Sequence, residues 1–103
     1  MYKLCYFVPE SHLEQTKLAL FGAGAGKIGD YADCAWQVEG QGQFRPLAGS
    51  DPFLGDQGEL KTVREFKVEL VCSDDLIRGA IQALKQVHPY EEPAYEVYRL
   101  EAM

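Results

Sequence analysis

One imidazole, two carboxylates, two phenols and two prolines stand together in His88-Pro89-Tyr90-Glu91-Glu92-Pro93-Ala94-Tyr95. A histidine beside paired carboxylates can hold a borderline divalent cation such as Zn or Cu, with His88, Glu91 and Glu92 as ligands. The same three groups could also serve as acid–base residues of an enzyme. The run has an architectural reading as well. Pro89 ends a helix, Pro93 opens a strand, Tyr90 and Tyr95 fill the seam, and His88 caps carbonyls at the helix end. That reading is the favoured one. Its alternative is a ligand site at a subunit cleft using His88, Tyr90, Glu91 and Glu92. His88 belongs to a helix end while Glu91 and Glu92 run toward a strand. A second subunit would therefore have to complete any metal site.

A second candidate is the glycine-rich stretch 22–29. Gly24, Gly26 and Gly29 match the G-x-G-x-x-G spacing of dinucleotide-binding turns. That turn must follow a strand and open a helix, so that the phosphate meets the positive end of the helix dipole. Here it follows a helix and leads to a strand. The stretch reads as a helix C-cap and turn, with a backbone anion nest around Lys27 as the alternative. Cys5, Cys34 and Cys72 are odd in number and widely spaced, with no C-x-x-C pair. They read as reduced, mostly buried thiols lying within strands of a cytoplasmic protein. No Ser-His-Asp or Cys-His nucleophile set can be assembled, which favours a binding module over an enzyme.

These residues must be held by short elements. Residues 2–8 form an apolar, aromatic-rich strand closed by Pro9. Ser11 and Glu14 have the spacing of a capping box for a helix over 11–24, with Leu13, Thr16, Lys17, Leu20 and Phe21 on one face. His12 falls in its first turn, exposed and without a role. Residues 34–39 and 43–46 predict two strands joined by a turn at Gly40-Gln41-Gly42, a hairpin arm. The following loop carries Pro52-Phe53-Leu54, whose apolar side chains need cover from the core or from a neighbouring subunit. In the strand 63–72, Phe66, Val68, Leu70 and Cys72 alternate with Glu65, Lys67 and Glu69, which implies one buried face. Ser73-Asp74-Asp75 predicts the cap of a helix over 74–88, with Leu76, Ile77, Ala80, Ile81, Leu84 and Val87 as its apolar stripe. A strand over 95–100 closes the chain. The order predicts an α+β, ferredoxin-like antiparallel sheet with two helices on one face.

The chain has 103 residues, the size of one domain. Its formal net charge of -6 and scattered basic residues argue against nucleic acid as a partner. No stretch approaches the ~20 apolar residues of a membrane span, and the N-terminus has no long apolar signal region.

The His88 run closely resembles the segment after the second helix of CutA proteins. A wider set of motifs resembles the domain inserted in the NIF-three-like (Ngg-one-interacting factor three) family. These are Val8-Pro9-Glu10-Ser11-His12, Ala23-Gly24-Ala25-Gly26, Ile28-Gly29-Asp30-Tyr31, Glu39-Gly40, Gly42, Phe44-Arg45-Pro46, Asp51-Pro52-Phe53-Leu54-Gly55 and the His88 run itself. They are spread in order over nearly the whole chain. The resemblance implies a PII-like or CutA-like fold that assembles through its sheet edges, here as a trimer or dimer. In that family the domain interrupts a body carrying a two-metal site, whose ligands have no counterpart here. The expectation is a free-standing insert-like protein, a cytoplasmic homo-oligomeric binding or regulatory module. A Cu- or Zn-binding CutA-like protein and an enzyme using His88, Glu91 and Glu92 are its alternatives. A third is a piece that docks on a separate two-metal chain.

Overall fold

A computed structural model describes residues 1–103. Strand β1 (Tyr2–Pro9) runs through a short 3-10 turn (Glu10–His12) into helix α1 (Leu13–Gly22). Strands β2 (Trp36–Phe44) and β3 (Lys61–Cys72), helix α2 (Ile77–Val87) and strand β4 (Tyr95–Arg99) follow. The sheet order is β2-β3-β1-β4, and every neighbouring pair is antiparallel. This is the predicted ferredoxin-like arrangement.

Alternation builds the core. Leu4, Tyr6 and Val8 of β1 face the same way as Val68, Leu70 and Cys72 of β3, as the registers Leu4↔Leu70 and Tyr6↔Val68 require. The two helices cover that face with Leu13 and Leu20 from α1 and Ile77, Ala80 and Leu84 from α2. One polar pair lies inside the core. The Tyr6 hydroxyl donates to Thr16 Oγ1 at 2.9 Å, and Thr16 reaches back to the carbonyls of His12 and Leu13. Burial pushes the Tyr6 phenol up to about 12.

The structure corrects several local expectations. Residues 40–42 do not turn. Gly40, Gln41 and Gly42 continue β2 as one strand paired with β3 from Trp36↔Glu69 to Phe44↔Lys61. The arm is therefore the far end of the β2–β3 ladder, beyond the reach of β1, which stops at Pro9↔Glu65. The hairpin connection is the long loop 45–60. The Glu65 carboxylate occupies the space that a methyl group at Gly42 would take. Neither predicted side-chain cap forms. Ser11 Oγ bonds His12 Nδ1 at 2.8 Å, and α1 starts after His12. At α2 the carbonyl of Ser73, not its hydroxyl, receives the amides of Leu76 and Ile77. Leu76 is 39% exposed, outside the buried stripe. All three cysteines are free, with Cys5 and Cys72 buried in strands. Cys34 is half-buried and precedes β2. No helix is long and apolar enough to cross a membrane.

Candidate functional site

The end of α2 is fixed by His88, which is 6% exposed. Its own amide closes the helix on Leu84 O at 2.8 Å, and its backbone then turns extended ahead of Pro89. Its ring joins two further elements. Nε2 lies 2.7 Å from the carbonyl of Phe7 in β1, and Nδ1 lies 3.1 Å from the amide of Tyr90. A carbonyl can only accept and an amide can only donate. The ring must therefore be the neutral tautomer, with the proton on Nε2. Burial lowers the pKa of His88, its bond to the Phe7 carbonyl opposes this, and neighbouring His12 lowers it further.

Tyr90 is half-buried rather than core. Its ring stands edge-on to His88 at 4.9 Å between centroids and tilts against Phe44 at 5.9 Å and Phe53 at 6.5 Å. Its hydroxyl donates to Glu65 Oε2 at 2.8 Å. Burial first, and then the Glu65 carboxylate, raise the Tyr90 pKa, so the phenol stays protonated. Phe53 also meets the ring of His12 edge-on at 5.7 Å, so His12 has a packing role that the sequence did not reveal.

Above Tyr90 the loop 45–60 folds back on the sheet. Its shape comes from local bonds: Ser50 to Leu47 O through both amide and hydroxyl, Gly58 N to Pro46 O, and Gln57 Nε2 to Ser50 O. One bond ties it to the His88 run, from the Asp51 amide to Glu91 Oε1 at 2.9 Å. Between loop, arm and run lies a cleft of ≈ 610 Å³. Phe7, Phe44, Phe53 and Tyr90 give it aromatic walls, and Glu65, Glu91, Glu92 and Arg45 bring charge to it. The volume is in the range of small-molecule sites.

The candidates thus divide. Tyr90, Glu91 and Glu92 line one cleft. His88 lies beneath it as a strut, with both ring nitrogens engaged. Lys27 is exposed and does not line the cleft. The proposed metal trio is not gathered, and no three His, Cys, Asp or Glu side chains converge as a metal site anywhere in the chain. The donor set does not fit a metal, because His88 would have to give up a buried hydrogen bond to offer a lone pair. The glycine stretch is architectural. The amides of Gly24, Ala25, Gly26 and Ile28 are bonded to the carbonyls of Phe21, Leu20, Val71 and Tyr31, so they do not form an open nest. Gly26 has φ +79°, and a Cβ there would stand 2.9 Å from the carbonyl of Cys34. Sequence reasoning missed Phe7, Phe44, Arg45 and Glu65. The one signal for the cleft was the unexplained apolar group Pro52-Phe53-Leu54, and Phe53 remains 50% exposed.

Fold and cleft together define the class, a CutA-like α+β domain with an aromatic-walled cleft at the arm. CutA1 from Pyrococcus horikoshii superposes with a TM-score of 0.71 at 17% identity, over 100% of this chain and 86% of that one. A Bacillus cereus protein related to NIF3 superposes with a TM-score of 0.84 at 40% identity, over 98% of this chain but 26% of that one. In sequence, the chain is 44% identical over 100 residues to a GTP cyclohydrolase 1 type 2 homolog of Halalkalibacterium halodurans. That match covers 97% of this chain and 27% of the relative. No family model matches. The chain is a homologue of a CutA-like segment of NIF3-related proteins, and spans about a quarter of the length of the curated relatives it matches.

Proposed function

We propose that the chain is a homo-oligomeric binding or regulatory module that takes a small molecule in the cleft between the loop 45–60, the arm and the His88 run. The observation that carries this reading is the cleft itself: ≈ 610 Å³, lined by aromatic rings, with the Asp51–Glu91 bond joining its loop to the His88 run. Assembly is supported by the sheet. β2 is an edge strand, and edges invite pairing unless covered. Trp36 and Val38 are 60% and 43% exposed on the face without helices, and Trp36 borders a second hollow with Ile28 and Ala35. The three free thiols suit a reducing compartment, and we place the protein in the cytoplasm. The cyclohydrolase name of its relatives describes chains about four times as long and is not extended to this one. A Zn or Cu reading, suggested by the His88 run, requires the Nδ1 lone pair of His88 to give up the Tyr90 amide. An acid–base role for His88 meets the same obstacle. Native mass spectrometry of the purified protein tests the proposal. The expected result is a dimer or trimer retaining a small organic ligand. A bare monomer at ~10 µM, a concentration in the range of ordinary specific association, would refute assembly. Retained stoichiometric metal would return the metal reading.

A further inference from the structure

The cleft combines two features that select a ligand by charge. Three aromatic rings, Phe44, Phe53 and Tyr90, line one space, and Phe44 and Phe53 tilt against Tyr90 with centroids 5.9 and 6.5 Å away. Three carboxylates, Glu65, Glu91 and Glu92, line the same space, and none of them forms an ion pair. Glu65 is half-buried, and its partner is a neutral phenol; Glu91 receives a neutral amide. Arg45 is the one basic residue in the lining. One step back, Lys61 stands opposite Phe44 in the ladder and Asp51 stands over Glu91, so the balance stays negative. The faces of aromatic rings carry negative potential, and a desolvated cation with an apolar shell gains from both ring and carboxylate. An anion would meet repulsion, and a bare metal ion would find no converging donors.

We infer that the ligand of this cleft is an organic cation, an alkylated ammonium or similar soft cationic head carried on an apolar body. This rests on the cleft reading above. Phe53, half exposed, and Tyr90, half-buried, offer their rings to the cation, and Tyr90 is held by His88 beside its ring and by Glu65 at its hydroxyl. Glu92 at the rim supplies charge without any hydrogen bond that the fold requires.

The test is an amide-resolved NMR titration of the full chain with three probes: choline, its uncharged carbon isostere 3,3-dimethylbutan-1-ol, and benzoate. Choline is expected to shift the amides of Phe44, Phe53, Tyr90 and Glu91, with the neutral isostere at least about threefold weaker, the order of a cation–π contribution at a partly exposed site. Phe53→Leu keeps an apolar side chain but removes the ring face, and is expected to weaken choline about two- to fivefold. Glu92→Gln is expected to weaken it about twofold while leaving the isostere unchanged. Equal binding of the isostere, or tighter binding of benzoate at these same residues, would overturn the cation assignment and leave the cleft reading standing. If none of the probes shifts the cleft residues, both fall. Shifts confined to other parts of the surface also overturn the assignment.

Discussion

Replacing His88 by Ala tests the strut in a way that separates it from a ligand site. The substitution removes two hydrogen bonds at once and leaves the Phe7 carbonyl and the Tyr90 amide without their partner. Each part-buried orphan costs about 1 kcal/mol or more, and the lost ring packing adds to it, so the variant is expected to be destabilised by about 3 kcal/mol at pH 8. The effect has a pH signature. Burial lowers the folded pKa of His88 below its unfolded value of about 6.5. Above that value both states are neutral and the full stabilisation is present. As pH falls below about 6.5, the unfolded chain takes up a proton that the folded chain refuses. The advantage of wild type over the Ala variant then shrinks by up to about 1.4 kcal/mol per pH unit, until the folded ring titrates. Urea unfolding at pH 8, 7, 6 and 5, followed by far-ultraviolet circular dichroism, measures it. Fluorescence is the poorer reporter, since Trp36 is 60% exposed in the native state. A difference between the two proteins that is constant with pH, or grows on acidification, would refute the neutral-strut assignment.

Gly26→Ala is expected to cost about 2 kcal/mol or more in urea unfolding, from the left-handed backbone and from the closeness of the Cys34 carbonyl, while Gly29→Ala, with open space around it, should cost only the backbone part. Tyr6 has a folded pKa pushed up to about 12, against 10 unfolded, so wild type should lose about 2–3 kcal/mol as pH rises from 10 through 12. Tyr6→Phe should lack that part of the alkaline decline, at a cost of about 1 kcal/mol at neutral pH for the lost bond to Thr16.

The alternation of Phe66, Val68, Leu70 and Cys72 made β3 legible, because one-sided burial leaves a period-two record in sequence. Pro89 did the same for the end of α2. The capping motifs misled. Ser11 and Ser73 have the right neighbours for side-chain capping, yet Ser11 bonds the adjacent His12, and Ser73 serves α2 through its carbonyl. Gly40-Gln41-Gly42 misled for a different reason. Glycine pairs usually mark turns, but here Gly42 lies under the Glu65 side chain of the neighbouring strand, a contact that exists only once β2 and β3 are in register. The cleft was illegible on similar grounds. Asp51 and Glu91 are 40 positions apart, and Tyr90 and Glu65 are 25. No local pattern records such pairings.

In sequence the His88 run reads either as a junction or as a site, and the geometry joins the two. A chain of contacts starts at the carbonyl of Phe7 in the central strand and passes through the His88 ring to the Tyr90 amide. From the Tyr90 hydroxyl it continues to Glu65, whose carboxylate lies over the bare backbone of Gly42. Tyr90 is therefore positioned at both ends, by its backbone and by its hydroxyl, while its ring faces Phe44 and Phe53. Neither end of that chain is available for chemistry. What they provide is a fixed aromatic surface, and a surface fixed before a ligand arrives loses less conformational entropy on binding. The architectural residues of the run set the geometry of the cleft, and the next two residues, Glu91 and Glu92, free of ion pairs, bring negative charge to it.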